Sequence, residues 1–249
     1  MRFSLRTGAK THFDHDYIEQ LIQAIKESGN CFDEVWLATS YGIPSIERME
    51  KEAKDMEWAA ERFEEAGISA SLQLSRTVGH SPGALVTYGG EGVEPNFYLI
   101  TSMDGASEEG VFCWNSPAFR HYVSEEMKIY SKFGPEIVWV DDDIRLRLLG
   151  KSKALCFCDN CIQLFNERCG YTYTRETLKN DFLNDLSIRE QYIQFQTDTL
   201  ADFAGVISEA VHEVSPDTIM ALQNGGNTMM PRYLPLGLQK RTFPLRFGR

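Results

Sequence analysis

Three cysteines fall within one short run, Cys156, Cys158 and Cys161 in LCFCDNC, and a fourth, Cys113, lies well upstream in FCWNSP. Thiolates are soft ligands, and four of them close a tetrahedral shell around zinc with no position left for substrate. Such a site is structural: it would pin the segment carrying the cluster to the segment carrying Cys113. Cys169 is close enough in sequence to compete for the fourth place. Cys31 heads into an apolar run and reads as a small buried hydrophobe. Unrelated reduced thiols are the plainer reading, and the density of the cluster weighs against it.

A second constellation is carboxylic. Asp141, Asp142 and Asp143 directly follow the apolar run IVWV, with Arg145 two residues on. Repulsion among consecutive carboxylates can keep one proton on the group at neutral pH, and a carboxyl so held can protonate a glycosidic oxygen. Arg145 would offset one negative charge and orient the others. Two plainer readings stand beside this one: helix N-capping by Asp143, and a hard-cation site for magnesium or calcium. His80 and Asn224 lie in polar stretches and are candidates for hydrogen bonds to substrate hydroxyls. Trp36, Trp114 and Trp139 could offer flat faces to sugar rings, although core packing explains most such tryptophans.

The elements that must position these groups alternate along the chain. Short apolar runs at residues 3–7, 34–39, 68–74, 137–140 and 218–222 read as strands. Between them lie helical patterns: Tyr17, Ile18, Leu21, Ile22 and Ile25 after a cap at Asp14 or Asp16; Ile46 through Phe63; and Phe119 through Tyr130 after Ser116-Pro117. A further helix is expected over 188–214. A long polar loop is expected between the third strand and Ser116, and a cysteine-rich insertion over about 144–184. Strand–helix alternation of this kind means βαβ units and a parallel sheet, either doubly wound or a TIM barrel. No glycine fingerprint for phosphate follows any strand, and polar residues gather beyond strand ends, Arg76 and His80 after the third, the aspartates after the fourth, Gln223 and Asn224 after the fifth. The expectation is an α/β fold, a partial (β/α)8 TIM barrel of four to five units over residues 1–222, followed by an irregular basic tail at 223–249.

The 249 residues carry 25 Lys plus Arg against 36 Asp plus Glu, a net charge of −11, although all five charged residues after residue 217 are basic. An acidic surface repels phosphate backbones and anionic lipid, so neither nucleic acid nor membrane is an expected partner. No apolar run reaches the roughly 20 residues of a membrane span and no signal-peptide core is visible, so a reduced, cytoplasmic setting is expected.

Read together, Phe112 to Arg120 (FCWNSPAFR), Phe133 to Asp143 (FGPEIVWVDDD) and Leu155 to Phe165 (LCFCDNCIQLF) resemble glycoside hydrolase family 42, the zinc-cluster β-galactosidases. The resemblance implies a barrel acting on β-linked sugars, β-galactosides among them, by a two-carboxylate mechanism. It implies a structural zinc on Cys113, Cys156, Cys158 and Cys161. The family ends its fourth strand with Asp-Asn-Glu, whose glutamate is the acid/base; here Asp143 takes that place and Asp142 that of the asparagine, with Asp141, Arg145, His80 and Asn224 left to contact substrate. The family's nucleophile lies on the seventh strand. The chain is therefore expected to be the N-terminal part of a longer barrel, to turn over glycosides poorly alone, and to self-associate through open sheet edges. A non-catalytic, sugar-binding barrel and a divalent-metal hydrolase using Asp141–Asp143 are the alternatives.

Overall fold

The computed structural model describes residues 2–8, 11–79, 96–146 and 155–223. In chain order the elements are β1 (Ser4–Arg6), α1 (His15–Glu27), β2 (Glu34–Ala38), α2 (Ile46–Glu65), β3 (Ser69–Leu74), β4 (Leu99–Thr101), β5 (Ser107–Phe112) and α3 (Pro117–Tyr130). There follow β6 (Ile137–Val140), α4 (Asp159–Cys169), α5 (Arg175–Asn184), α6 (Leu186–Val214) and β7 (Ile219–Leu222). Helix starts follow the capping residues. The Asp14 carboxylate accepts the Tyr17 N–H, the Ser45 hydroxyl accepts that of Arg48, and Pro117 opens α3 where its missing N–H costs nothing.

Five strands form one parallel sheet in the order β1-β2-β3-β6-β7, so each βα unit adds its strand beside the preceding one. A doubly wound sheet would reverse direction at some point and carry helices on both faces. Here Val35, Leu37, Ala70, Leu72, Leu74, Val138, Val140 and Met220 alternate onto one face and share a single core with Ile18, Met49, Phe63, Phe119, Met127 and Phe203 of the helices. The residues between them, Glu34, Trp36, Ser71, Gln73 and Trp139, occupy the other face, outside that core. Consecutive parallel strands with helices on one side are the arrangement of a partial TIM-barrel-like fold. Among the described residues no helix is long and apolar enough to cross a membrane.

Three local expectations change. The stretch read as a long polar loop contains the antiparallel hairpin β4–β5, turned at Gly105 with φ 82°. Its strands are too short and irregular to show a period-two pattern. The insertion holds α4 and α5, and α5 buries only Leu178, which is why its sequence lacks an apolar stripe. Cys31 is exposed, because Gly29 and Asn30 take left-handed conformations and swing the chain outward before β2 begins. The tail from residue 224 lies outside the described residues.

Candidate metal centre and strand-end carboxylates

Cys113 ends the hairpin, Cys156 and Cys158 lead into α4, and Cys161 sits in its first turn. Their four Sγ atoms lie within 4.8 Å of one another, and all four residues are buried. Cys113 Sγ is 3.4 Å from Cys161 Sγ and 3.7 Å from Cys158 Sγ. Sulfurs on a tetrahedron with bonds of about 2.3 Å stand about 3.8 Å apart, so the quartet fits one ion. Outer contacts match: the Asn115 backbone N–H reaches Cys113 Sγ at 3.4 Å and its side-chain amide donates to Cys161 Sγ at 3.3 Å. Such N–H···S bonds stabilise thiolate charge, as does the positive end of α4. Burial pushes the Cys113 and Cys161 thiols up, whereas Cys158 is held far below the ordinary thiol range by bonds from Cys113, Cys156 and Cys161. Four buried cysteines together could hold a metal ion. Cys169, at the far end of α4, is outside the quartet.

The cluster fastens three elements. Tyr192 and Gln196 of α6 both donate to the Cys156 carbonyl, at 2.5 and 3.2 Å, and the Phe157 N–H bonds the Thr101 carbonyl of β4. Trp114 is wholly buried, with its indole N–H 3.1 Å from Thr199 Oγ1 of α6, so it serves packing.

The aspartates leave β6, a strand flanked by β3 and β7, at its C-terminal end. They point apart. Asp143 is 0% exposed, and its carboxylate accepts the Thr77 N–H at 3.0 and 3.1 Å and the Gly79 N–H at 2.7 Å. Asp142 is part-exposed and pairs with Arg145 at 3.4 Å. Asp141 is buried. Among the described residues the cysteine quartet is the one group of three or more His, Cys, Asp or Glu side chains placed close enough to share an ion. His80 and Asn224 lie outside the described residues.

The loop after β3 is held by a buried charge network that the sequence did not announce. Arg76, 1% exposed, donates to the Gly42 carbonyl at 3.2 Å, to the Thr77 carbonyl at 3.1 Å and to both Glu126 oxygens at 3.3 Å. Glu52, next in the network, accepts from Ser40 at 2.9 Å, Arg48 at 2.9 Å and the Tyr130 hydroxyl at 2.5 Å. Burial pushes the Glu126 carboxyl up to about 7; Arg76 pulls it down and Glu52 adds to the rise. The signal available in sequence was a charged residue at helix positions otherwise apolar, Glu52 in α2 and Glu126 in α3.

No family model matches the chain, and no curated protein sequence matches it. Solved structures do. A β-galactosidase from Rahnella sp. R3 aligns over 89% of this chain and 35% of its own, at 16% identity and a TM-score of 0.58. One from Bacillus circulans sp. alkalophilus covers 89% and 36% at 16% identity and 0.55, and a GH42 β-galactosidase from G. stearothermophilus covers 89% and 35% at 14% and 0.56. The chain has a glycoside-hydrolase-like fold. It spans a little over a third of the length of these structures.

Proposed function

We propose that this chain carries the acid-side carboxyls of an enzyme that hydrolyses β-linked glycosides, β-galactosides among them. The observation that carries the reading is the placement of Asp141–Asp143 at the C-terminal end of an interior strand of a glycosidase-like parallel sheet, where barrel enzymes build their sites. Asp142, the part-exposed member, is the proton donor to the leaving glycosidic oxygen, and it carries that proton with its pairing to Arg145 released. Asp143, which aligns with the family's acid/base, holds the loop after β3 in place through three N–H contacts. Asp141, Arg145, His80 and Asn224 contact substrate. The second carboxylate of a retaining mechanism, about 5–5.5 Å from the first, comes from outside the described residues. Zinc on Cys113, Cys156, Cys158 and Cys161 supplies rigidity and no chemistry.

The burial of Asp143 favours a second reading, a barrel that binds carbohydrate without turning it over. Hydrolysis and binding of p-nitrophenyl β-galactoside by the chain, Asp142→Asn and Asp143→Asn separate the two. Slow turnover in the wild type that disappears in Asp142→Asn supports hydrolysis. Saturable binding with no turnover supports the second reading, and absence of both refutes each.

A further inference from the structure

The segment from Ser75 to Gly79, which leaves β3, is held by contacts from several elements. Arg76 donates to both Glu126 oxygens of α3 at 3.3 Å. The Ser75 N–H reaches Thr39 Oγ1 at 3.0 Å, and the Val78 carbonyl accepts the Phe112 N–H of β5 at 2.7 Å. The Thr77 and Gly79 N–H groups meet the Asp143 carboxylate. The segment does little to hold itself. Among the described residues the buried hydroxyls of Ser75 and Thr77 have no partner, and water would satisfy both if the segment lifted.

The Arg76–Glu126 contact joins two ions sealed from water, each 1% exposed. In such surroundings a carboxylate offsets a guanidinium far better than a neutral carboxyl does. With Glu126 protonated, Arg76 keeps only neutral acceptors, the Gly42 and Thr77 carbonyls among them. Proton and arginine therefore compete: burial pushes the Glu126 carboxyl up to about 7, and Arg76 pulls against that rise. Coupling is reciprocal, so if Arg76 in place helps drive the proton off, the bound proton weakens the hold on Arg76. Other groups surround the pair. From α2, Glu52 opposes ionisation of Glu126 and is itself paired with Arg48 at 2.9 Å. On α3, burial pushes the Tyr122 and Tyr130 phenols up, so both stay protonated near neutrality. His12 is pushed down to about 3 by burial and by Arg48, and stays neutral. Charges of α6 meet α3 elsewhere, Glu213 at Lys128 and Asp202 near Arg120.

We propose that Glu126 is a positioning residue for Asp143: ionised, it holds Arg76 and with it the segment that presents the Thr77 and Gly79 N–H groups to the Asp143 carboxylate, and on taking up a proton it releases that segment. The segment is thus held more firmly as pH rises through neutrality. That sign is opposite to the effect of Glu126 on whole-chain stability. Unfolding hydrates the carboxyl, whereas release of the segment leaves it enclosed between α2 and α3. The coupling rests on these contacts alone; its bearing on chemistry rests on the glycoside reading above.

The test is NMR-detected amide hydrogen exchange of the full chain at pH 6, 7 and 8, for the wild type and Glu126→Gln, each rate divided by its intrinsic value. Thr77 and Gly79 should be protected about tenfold more at pH 8 than at pH 6 in the wild type. Glu126→Gln should show the lower protection at every pH. The Ile219 N–H, bonded to the Glu136 carbonyl at 3.0 Å at the opposite end of the sheet, should show no such step. A merely structural Glu126 would leave Thr77 and Gly79 equally protected at all three pH values. That result, protection that falls toward pH 8, or a step that persists in Glu126→Gln overturns the proposal. If Glu126→Gln does not fold, the carbon-13 shift of the Glu126 carboxyl is followed in the wild type. A midpoint shared with the exchange step supports the coupling, and separate midpoints overturn it. Flat exchange with β-galactoside hydrolysis intact would remove the coupling and keep the glycosidase. The step without hydrolysis would keep the coupling and remove the enzyme.

Discussion

Replacing Glu126 with glutamine should erase one step in the pH dependence of stability. In the native chain Glu126 is fully enclosed, and burial raises its carboxyl from 4.5 to about 7 even with Arg76 at 3.3 Å. The native state therefore holds this proton more tightly than the unfolded chain does. Its contribution is fully present below about pH 4.5 and is lost as pH rises through about 7. At 1.36 kcal/mol per tenfold change in affinity, that range corresponds to roughly 3 kcal/mol. Glutamine keeps the shape and an oxygen acceptor for Arg76 but cannot titrate. Urea unfolding at intervals from pH 4.5 to 8 should show the wild type losing about 3 kcal/mol relative to Glu126→Gln across that span. Titrating groups remote from Glu126 are common to both proteins and cancel in the difference. A gap between the two that stays constant with pH would refute the reasoning, since it would mean that Glu126 has the same proton affinity folded and unfolded.

Three other perturbations have definite outcomes. Gly79 has φ 95°, and a Cβ there would stand 2.0 Å from the Gly110 carbonyl oxygen, so Gly79→Ala should destabilise by about 2 kcal/mol or more in denaturant titration; unchanged stability would mean the loop after β3 is not held against the hairpin. Cys158→Ser should lose the bound metal, measured as about one zinc per wild-type chain by elemental analysis and near none in the variant, with a lower melting temperature. Thr199 Oγ1 is bonded by both the Trp114 indole N–H and the Asn115 amide, each at 3.1 Å, so Thr199→Val should cost about 1–3 kcal/mol; a change under 0.5 kcal/mol would show that those donors find other partners.

Elements with strong local signals were legible in the sequence. Asp14 and Ser116-Pro117 mark helix starts that the structure keeps, and EVWLA and IVWV become strands β2 and β6. What the sequence could not show depends on contacts across long separations. Hairpin β4–β5 is tied to the rest of the chain by bonds such as Phe157 N–H to Thr101, over fifty residues away in sequence. The three consecutive aspartates looked equivalent in sequence, yet two loop N–H groups some 65 positions upstream bury Asp143, while Asp142 keeps access to solvent. The cysteine quartet was legible because side-chain chemistry restricts which partners four thiols can share. The charge network of Arg76, Glu126 and Glu52 was not, since a charge at an otherwise apolar helix position marks burial without naming its partner on another element.

The most direct test of the central claim, that the strand-end carboxylates of this sheet act on a sugar, is a crystal structure of the zinc-loaded chain soaked with a non-hydrolysable thio-β-galactoside. The expected result is a ring against Trp36 and Trp139 with its glycosidic sulfur within hydrogen-bonding distance of the Asp142 carboxyl. A ring bound elsewhere on the chain, or density confined to water at the end of β6 under saturating ligand, would contradict it.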